Sequence, residues 1–153
     1  MNESVWASDT YRDLAEQLLR MSRRKSLGVA NARLEASAFA ILWILADGRP
    51  RTLRELTDEL GLDQSTVNRQ VNAAIKHGYL ERFEVDGRIS KLIRPTDAGR
   101  EAFEADGLAR ARRLERVFES MHQGTPEQLL AELRSYNDAF DHVLSEEHLR
   151  RTS

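Results

Sequence analysis

The stretch from Thr52 to Thr96 constrains the fold more than any other part of the sequence, because helix start and stop signals follow one another closely there. Thr52 is followed by Glu55 at the spacing of a capping box, which predicts the start of a short helix. Gly61 then ends that helix, and Asp63 is a suitable N-cap for a second one. Two helices joined by so short a glycine turn form a helix-turn-helix.

The second helix of this motif has a polar face without an acidic side chain. Apolar residues at helical spacing predict its buried side, and the helix is expected to end at Gly78. The opposite side carries hydrogen-bonding side chains, namely Gln64, Ser65, Asn68, Arg69, Asn72 and Lys76. Asn and Gln pair with adenine, and Arg pairs with guanine, at base edges in the major groove. The pattern therefore predicts a recognition helix, with an ordinary solvated helix face as the alternative.

A β-hairpin is predicted directly after the second helix. Two strand-like segments, LERFEV and RISKLIR, flank Asp86-Gly87, a dipeptide typical of two-residue hairpin turns. Basic side chains lie in or beside this hairpin: Arg82, Arg88, Lys91 and Arg94. A basic hairpin that follows a recognition helix is a wing. We expect Arg88 to enter the narrow minor groove, whose negative potential attracts a guanidinium.

In their order and spacing, the motifs DQSTVNR, HGYLER, DGR and LIRPTDAG resemble the MarR family of winged helix-turn-helix transcriptional regulators. The resemblance implies that Ser65, Thr66 and Arg69 approach DNA. It also implies that Asp86 orients Arg88 in the wing, that terminal helices form a homodimer, and that a small molecule regulates binding. A bacterial-type regulator on a near-palindromic operator is the function that this family implies.

The predicted DNA contacts are Thr52, Arg54, Gln64, Ser65, Thr66, Asn68, Arg69, Asn72, Lys76, Asp86, Arg88 and Lys91. Gln64, Asn68 and Arg69 are expected to read bases, whereas the threonines and Ser65 are expected to hold the phosphate backbone. The whole chain has a net charge of −2, yet residues 63–94 contain six Lys or Arg against four Asp or Glu. A basic footprint confined to one face is the expectation for a sequence reader of this kind.

Long helices are predicted on both sides of the winged segment. One runs from Ser8 to about Leu27, a second from Leu34 to Ala46 is apolar almost all round and should be buried on several sides, and a third begins at a Thr96 cap. We assign 31–102 to a DNA-binding domain and 1–30 and 103–150 to dimerisation helices, all in one continuous structural unit. The predicted fold is mostly α, with a two-stranded wing. Apolar stripes at both chain ends need a partner, and a second copy is the simplest.

Several other function classes find no support in the sequence. Cysteine is absent, which excludes disulfides and thiolate metal sites, and the four histidines are scattered. No glycine loop for phosphates or dinucleotides is present, so we expect no enzyme, no cofactor and no bound metal. The N-terminus MNESVWASD does not have the pattern of a secretory signal, and the longest apolar run, AFAILWILA, is too short to span a bilayer. We expect a soluble cytoplasmic protein without a membrane partner.

The signal for such a regulator is expected to be an aromatic or acidic small molecule. Candidate walls of its site are Tyr11, Phe39, Trp43 and Phe103, although aromatic residues of this kind also serve as plain core. The main alternative for the whole chain is a winged helix that docks on another protein. Such a module would need neither a base-reading helix face nor a basic wing.

Overall fold

The computed structural model describes residues 8–23, 32–87 and 89–152. These ranges contain six helices and three short strands: α1 (Asp9–Arg23), α2 (Ala36–Leu45), β1 (Arg51–Thr52), α3 (Leu53–Leu60), α4 (Gln64–Lys76), β2 (Leu80–Phe83), β3 (Leu92–Pro95), α5 (Asp97–Glu119) and α6 (Pro126–Thr152). The predicted class, a mostly helical winged helix-turn-helix with long terminal helices, is confirmed. The chain forms two compact units, and the boundary between them lies between Arg110 and Ala111.

The core of the first unit forms around α2. Its members share almost complete burial and come from the segment just before α2, from α2, α3, α4, the wing and the start of α5: Leu34, Ala38, Ile41, Leu42, Leu45, Leu56, Val67, Val71, Ala74, Leu80, Ile93 and Ala102. The central position of α2 agrees with its apolar sequence. The expected burial of α2 on several sides is only partial, because its buried residues Ala38, Ile41, Leu42 and Leu45 share one face and Trp43 is 66% exposed. The N-cap of α2 is Glu35, whose side chain makes no capping hydrogen bond.

The helix-turn-helix forms as its capping signals predict. Thr52 Oγ1 accepts from the Glu55 N–H at 3.2 Å, while the Thr52 N–H donates to Glu55 Oε2 at 2.7 Å. Gly61 ends α3 with φ of 62°, a left-handed conformation that glycine adopts without strain. The Asp63 carboxylate caps α4 by accepting from the Thr66 N–H at 2.8 Å. Lys76 is the last residue of α4, slightly before the expected end at Gly78.

The wing differs from the predicted two-stranded hairpin in two respects. A short strand that the sequence did not suggest, β1, pairs with β3, so the described sheet is three-stranded and antiparallel, in the order β1-β3-β2. The β2–β3 ladder ends at Phe83 opposite Leu92, which leaves residues 84–91 as the connection. Asp86-Gly87 is thus not the two-residue turn that we expected. Val85 and Ile89 are exposed there, so the apolar alternation that suggested longer strands has no core to pack against.

Thr96 and Gly99 fix the start of α5. Thr96 Oγ1 accepts from the Gly99 N–H at 3.0 Å, which confirms Thr96 as the cap, and its hydroxyl donates to the Gly78 carbonyl at 2.5 Å. A Cβ on Gly99 would lie 2.0 Å from the Tyr79 carbonyl oxygen. The helix therefore passes so close to the chain leaving α4 that only glycine fits without a backbone shift.

The outermost helices have exposed apolar faces. Thr125 and Gln128 form the capping box of α6, with hydrogen bonds of 3.0 and 3.2 Å. The first helix, α1, has no buried residue, and the part predicted to continue to Leu27 lies outside the described residues. The exposed apolar side chains of α1 and α6 are Tyr11, Leu14, Leu19, Met21, Leu129, Leu130, Tyr136, Phe140, Val143, Leu144 and Leu149. Among the described helices, none is long and apolar enough to cross a membrane.

Candidate nucleic-acid interface

The predicted recognition helix, α4, has a buried side and a polar side. Val67 and Val71 are completely buried, and Ala74 is 2% exposed. The predicted polar positions lie away from this stripe: Gln64, Ser65, Arg69, Asn72 and Lys76 are exposed, and Thr66 and Asn68 are half-buried. No acidic residue occurs between positions 64 and 76. The structure thus brings the predicted base readers together on one accessible face.

Asp63 organises the start of α4. Its carboxylate accepts from Ser65 Oγ at 2.5 Å, from Thr66 Oγ1 at 2.6 Å and from the Thr66 N–H. These hydrogen bonds, led by the Ser65 hydroxyl, hold the pKa of Asp63 well below its usual range. Because both hydroxyl protons point at Asp63, Ser65 and Thr66 must turn away from it before either donates to a phosphate.

Arg82, on β2, contacts the recognition helix directly. Its Nη2 donates to Asn68 Oδ1 at 2.9 Å. Sequence reasoning placed Arg82 in the basic wing but did not connect it with α4. A usable signal was present: alternation along β2 puts Arg82 on the same face as Leu80, which is buried beside α4. Asn68 is therefore held by the wing, whereas Arg69 and Asn72 next to it are exposed.

Two of the wing's basic side chains pair with acidic residues of the wing itself. Arg94 Nε lies 2.6 Å from Glu81 Oε1, and Lys91 Nζ lies 2.9 Å from Glu84 Oε1. The hydrogen bond from Lys91 lowers the pKa of Glu84. Both pairs are exposed, and surface ion pairs of this kind contribute little to stability.

Of the predicted wing-tip pair, Asp86 and Arg88, the described residues include only Asp86. Asp86 is exposed in the connection between β2 and β3. Arg88, the residue that we expect in the minor groove, lies outside the described residues. Arg54, the predicted DNA contact on α3, is exposed. It lies near the start of the motif, whereas the wing tip lies near its end.

Thr52 and Arg51 connect the helix-turn-helix to the wing. The Thr52 hydroxyl donates to Glu55 Oε2 at 2.9 Å, and its backbone pairs with Leu92, so its predicted phosphate contact competes with a structural role. Arg51 is 6% exposed, and its guanidinium donates to Asp47 Oδ2 and to Glu59 Oε1, both at 2.8 Å. Periodicity did not mark Arg51, because a two-residue strand is too short to show alternation.

The ion pairs of Arg51 fix its protonation and that of Asp47. The Arg51 hydrogen bond is the largest cause that holds the pKa of Asp47 well below its usual range, followed by the Arg49 N–H. Asp47 and then Glu59 raise the pKa of Arg51 above its ordinary value. This network ties residues 47–51 to α3, and through the β1–β3 pairing it ties α3 to the wing.

Three of the four predicted effector-site residues form an aromatic cluster. The ring centroid of Phe39 lies 4.9 Å from that of Phe103 and 6.0 Å from that of Trp43, and the Arg110 guanidinium lies 3.9 Å from the Phe39 centroid. Tyr11 lies exposed on α1. Below, "aromatic cluster" means Phe39, Trp43 and Phe103.

A cavity of about 400 Å³ adjoins this cluster in the first unit. It is lined by Leu42, Leu45, Ala46, Gly48, Arg49, Pro50, Arg94, Pro95, Arg100, Phe103 and Glu104. Within the described chain, Phe103 is the predicted effector-site residue that reaches the cavity wall. The other lining residues come from the end of α2, the loop before β1, β3 and the start of α5, which sequence reasoning did not consider for this site.

Comparisons with known proteins agree with this architecture. Residues 34–89 match the model of the MarR family, which confirms the resemblance over the helix-turn-helix and most of the wing. Rv1404 of Mycobacterium tuberculosis has 20% sequence identity and a TM-score of 0.66, with the match covering 92% of this chain and 95% of that one.

A mutant of E. coli MarR, complexed with operator DNA, has 17% identity and a TM-score of 0.67 over 86% of this chain and 99% of that one. BpsR of Bordetella bronchiseptica, whose DNA binding is regulated by 6-hydroxynicotinic acid, has 17% identity and a TM-score of 0.65, over 83% and 98%. At these identities the likeness shows a common fold. No curated protein matches this chain significantly.

Proposed function

We propose that this chain, whose winged-helix segment belongs to the MarR family, is a sequence-specific transcriptional regulator that binds double-stranded DNA as a homodimer. The observation that carries the proposal is the outward face of α4. It is accessible, free of acidic residues and rich in amide and guanidinium groups, and it lies opposite a completely buried stripe. Such a face has the donors and acceptors that distinguish base pairs in the major groove.

Basic side chains around α4 would supply the affinity. Arg54, Arg69, Lys76 and Arg82 are exposed and come from three successive elements of the motif. Lysine and arginine contacts to phosphates release counterions, so binding should weaken steeply as salt rises. That a related fold, the E. coli MarR mutant, is complexed with operator DNA supports this use of the motif.

A second copy is the proposed partner of the exposed apolar faces of α1 and α6. On α6, Tyr136 and Phe140 stack with their ring centroids 5.9 Å apart, yet Phe140 is 50% exposed. Contiguous apolar faces of this kind mark interaction sites, and a twofold homodimer is the commonest way to cover them. Two recognition helices related by a twofold axis would read a near-palindromic site, with half-site centres about 10 base pairs apart.

The cavity beside the aromatic cluster is the proposed effector site, and the proposed effector is an aromatic acid. Leu42, Leu45 and Phe103 provide apolar contacts, and Arg49 and Arg100 provide cations at the wall. Regulation of BpsR by 6-hydroxynicotinic acid is consistent with this chemistry in a related fold. An effector here would quench or shift the fluorescence of exposed Trp43 and release DNA, whereas peroxide or a chelator would leave DNA binding intact.

Selection of bound duplexes from a random pool tests the proposed function. The expected result is enrichment of an inverted repeat with the half-site spacing given above. A pool that shows no enrichment after repeated rounds would contradict sequence-specific binding and favour a winged helix that docks on protein. Light scattering at micromolar concentration should give twice the monomer mass, and a stable monomer would contradict the homodimer.

A further inference from the structure

The contact between Arg82 and Asn68 joins the wing to the middle of the recognition helix. Arg82 Nη2 donates to Asn68 Oδ1 at 2.9 Å, across 14 positions of sequence. Both residues of this contact have buried neighbours. Val67 and Val71, beside Asn68 on α4, are completely buried. Ile93, which pairs with Arg82 across the sheet, is 1% exposed. The two side chains therefore meet on a rigid frame.

The chemistry of the two groups fixes which way the amide faces. A guanidinium has only donors, so the Asn68 atom that faces Arg82 must be the carbonyl oxygen and not the amide nitrogen. In a planar carboxamide the nitrogen then points to the other side of Cγ, away from Arg82. A reversed amide would set two donors against each other and lose the charge-assisted hydrogen bond, which is stronger than a neutral one.

We infer that Arg82 sets the orientation of the Asn68 amide, so that this residue meets DNA as a hydrogen-bond donor and prefers an acceptor-bearing base edge. The inference rests on the proposed function and goes beyond it by assigning a positioning role to a residue outside the recognition helix. Asn68 Nδ2 then favours purine N7, guanine O6 or thymine O4. A cytosine, which presents the N4 donor in the major groove, is disfavoured at that position.

The same geometry separates Arg82 from Arg94, the arginine of the neighbouring strand β3. Arg94 lies on β3 opposite Glu81, pairs with that residue at 2.6 Å and covers the Phe83 ring at 4.4 Å. Side chains alternate along a strand, so residues 81 and 82 point to opposite faces, and Arg94 shares the face of Glu81. Both arginines are exposed. Arg94 is thus a matched arginine that carries a similar charge in the sheet but does not hold the Asn68 amide.

The experiment measures affinity for variants of the selected duplex in which each half-site position carries each of the four base pairs in turn. Asn68→Ala first identifies the position that Asn68 reads, as the one where discrimination is lost. At that position Arg82→Ala should also reduce the discrimination between acceptor-bearing bases and cytosine, from about tenfold to within about twofold, because the amide is then free to reverse. Arg82→Lys, which keeps a donor without an acceptor, should retain most of it.

Controls separate orientation from loss of charge. Arg94→Ala should leave discrimination at the Asn68 position unchanged while it weakens binding to all duplexes similarly. The double variant Asn68→Ala/Arg82→Ala should discriminate there no less than Asn68→Ala alone. Circular dichroism and light scattering should show that each variant keeps the wild-type fold and assembly.

Two results would overturn the inference while leaving the proposed function intact. One is an Arg82→Ala variant that keeps full discrimination at the Asn68 position and loses affinity uniformly, as a simple phosphate contact would. The other is an Asn68→Ala variant that keeps discrimination everywhere. A wild-type protein that selects no duplex would instead contradict the proposed function itself.

Discussion

Replacing Gly99 by alanine should destabilise the protein, although alanine is the better helix former. Host helices gain about 1 kcal/mol from a Gly→Ala change. At Gly99, however, the new Cβ would lie 2.0 Å from the Tyr79 oxygen and 2.9 Å from its carbonyl carbon, whereas real Cβ contacts are hardly ever shorter than 3.0 Å. The backbones must separate, and the Thr96 N–H then loses part of its 3.0 Å hydrogen bond to the Tyr79 carbonyl.

The expected magnitude follows from these opposing effects. Overpacking costs about 1–3 kcal/mol and a weakened hydrogen bond about 0.5–1.5 kcal/mol, so after the gain in helix propensity the net loss is about 0.5–3.5 kcal/mol. Gly107→Ala in the same helix is the control, because a Cβ placed there meets no described atom within 4 Å other than those of its chain neighbours and its own helix backbone. That variant should be more stable than the wild type by up to about 1 kcal/mol.

Urea unfolding followed by circular dichroism, at one fixed protein concentration, measures both variants. Gly99→Ala should also bind DNA more weakly, because Tyr79 directly follows the turn that leaves α4. If Gly99→Ala proved as stable as Gly107→Ala, the close approach of α5 to this turn, and with it the described junction of recognition helix and wing, would be refuted.

Three further outcomes are expected. Arg51→Met should lower the melting temperature and weaken DNA binding, because it leaves Asp47 and Glu59 without their shared partner. Arg49→Met, at a more exposed position, should have a smaller effect. Equal effects of the two substitutions would contradict the role of Arg51 in linking α3 to the wing. Asp63 has a depressed pKa when folded, so its stabilisation is complete above the unfolded value of about 3.9 and is lost as pH falls below it. The difference in unfolding free energy between wild type and Asp63→Asn should be constant from about pH 5 to 8 and shrink below about pH 4, and a difference that grows on acidification would contradict this sign. Leu133→Asp combined with Phe140→Asp should give a monomer by light scattering that binds a single half-site only weakly; a variant that stays dimeric would place the interface elsewhere.

Features fixed by local chemistry were predictable from the sequence. Thr52, Asp63 and Thr96 cap the helices that they were expected to cap, since a capping hydrogen bond depends on residues within one helical turn. Gly61 has the left-handed conformation that the end of α3 requires. The polar face of α4 followed from the same periodicity that identified its buried stripe.

Features that depend on neighbours distant in sequence were not predictable in this way. The register of β2 and β3 depends on where the core ends, which the Asp86-Gly87 dipeptide does not reveal. Trp43 is 66% exposed although it belongs to an apolar helix, because exposure depends on which distant elements pack there and not on the helix's own composition. The Arg82–Asn68 contact needs the wing folded back beside α4, and no local pattern encodes that distance.

Base reading by the outward face of α4 is tested most directly by repeating the duplex selection with Arg69→Ala. Arg69 is exposed in the middle of that face, where it lies between Asn68 and Asn72 along the helix. Its removal should cost about 1–3 kcal/mol and abolish preference at one base pair in each half-site, while the other positions keep theirs. Enrichment of the unchanged wild-type motif at full affinity would contradict the assignment of α4 as the helix that reads DNA.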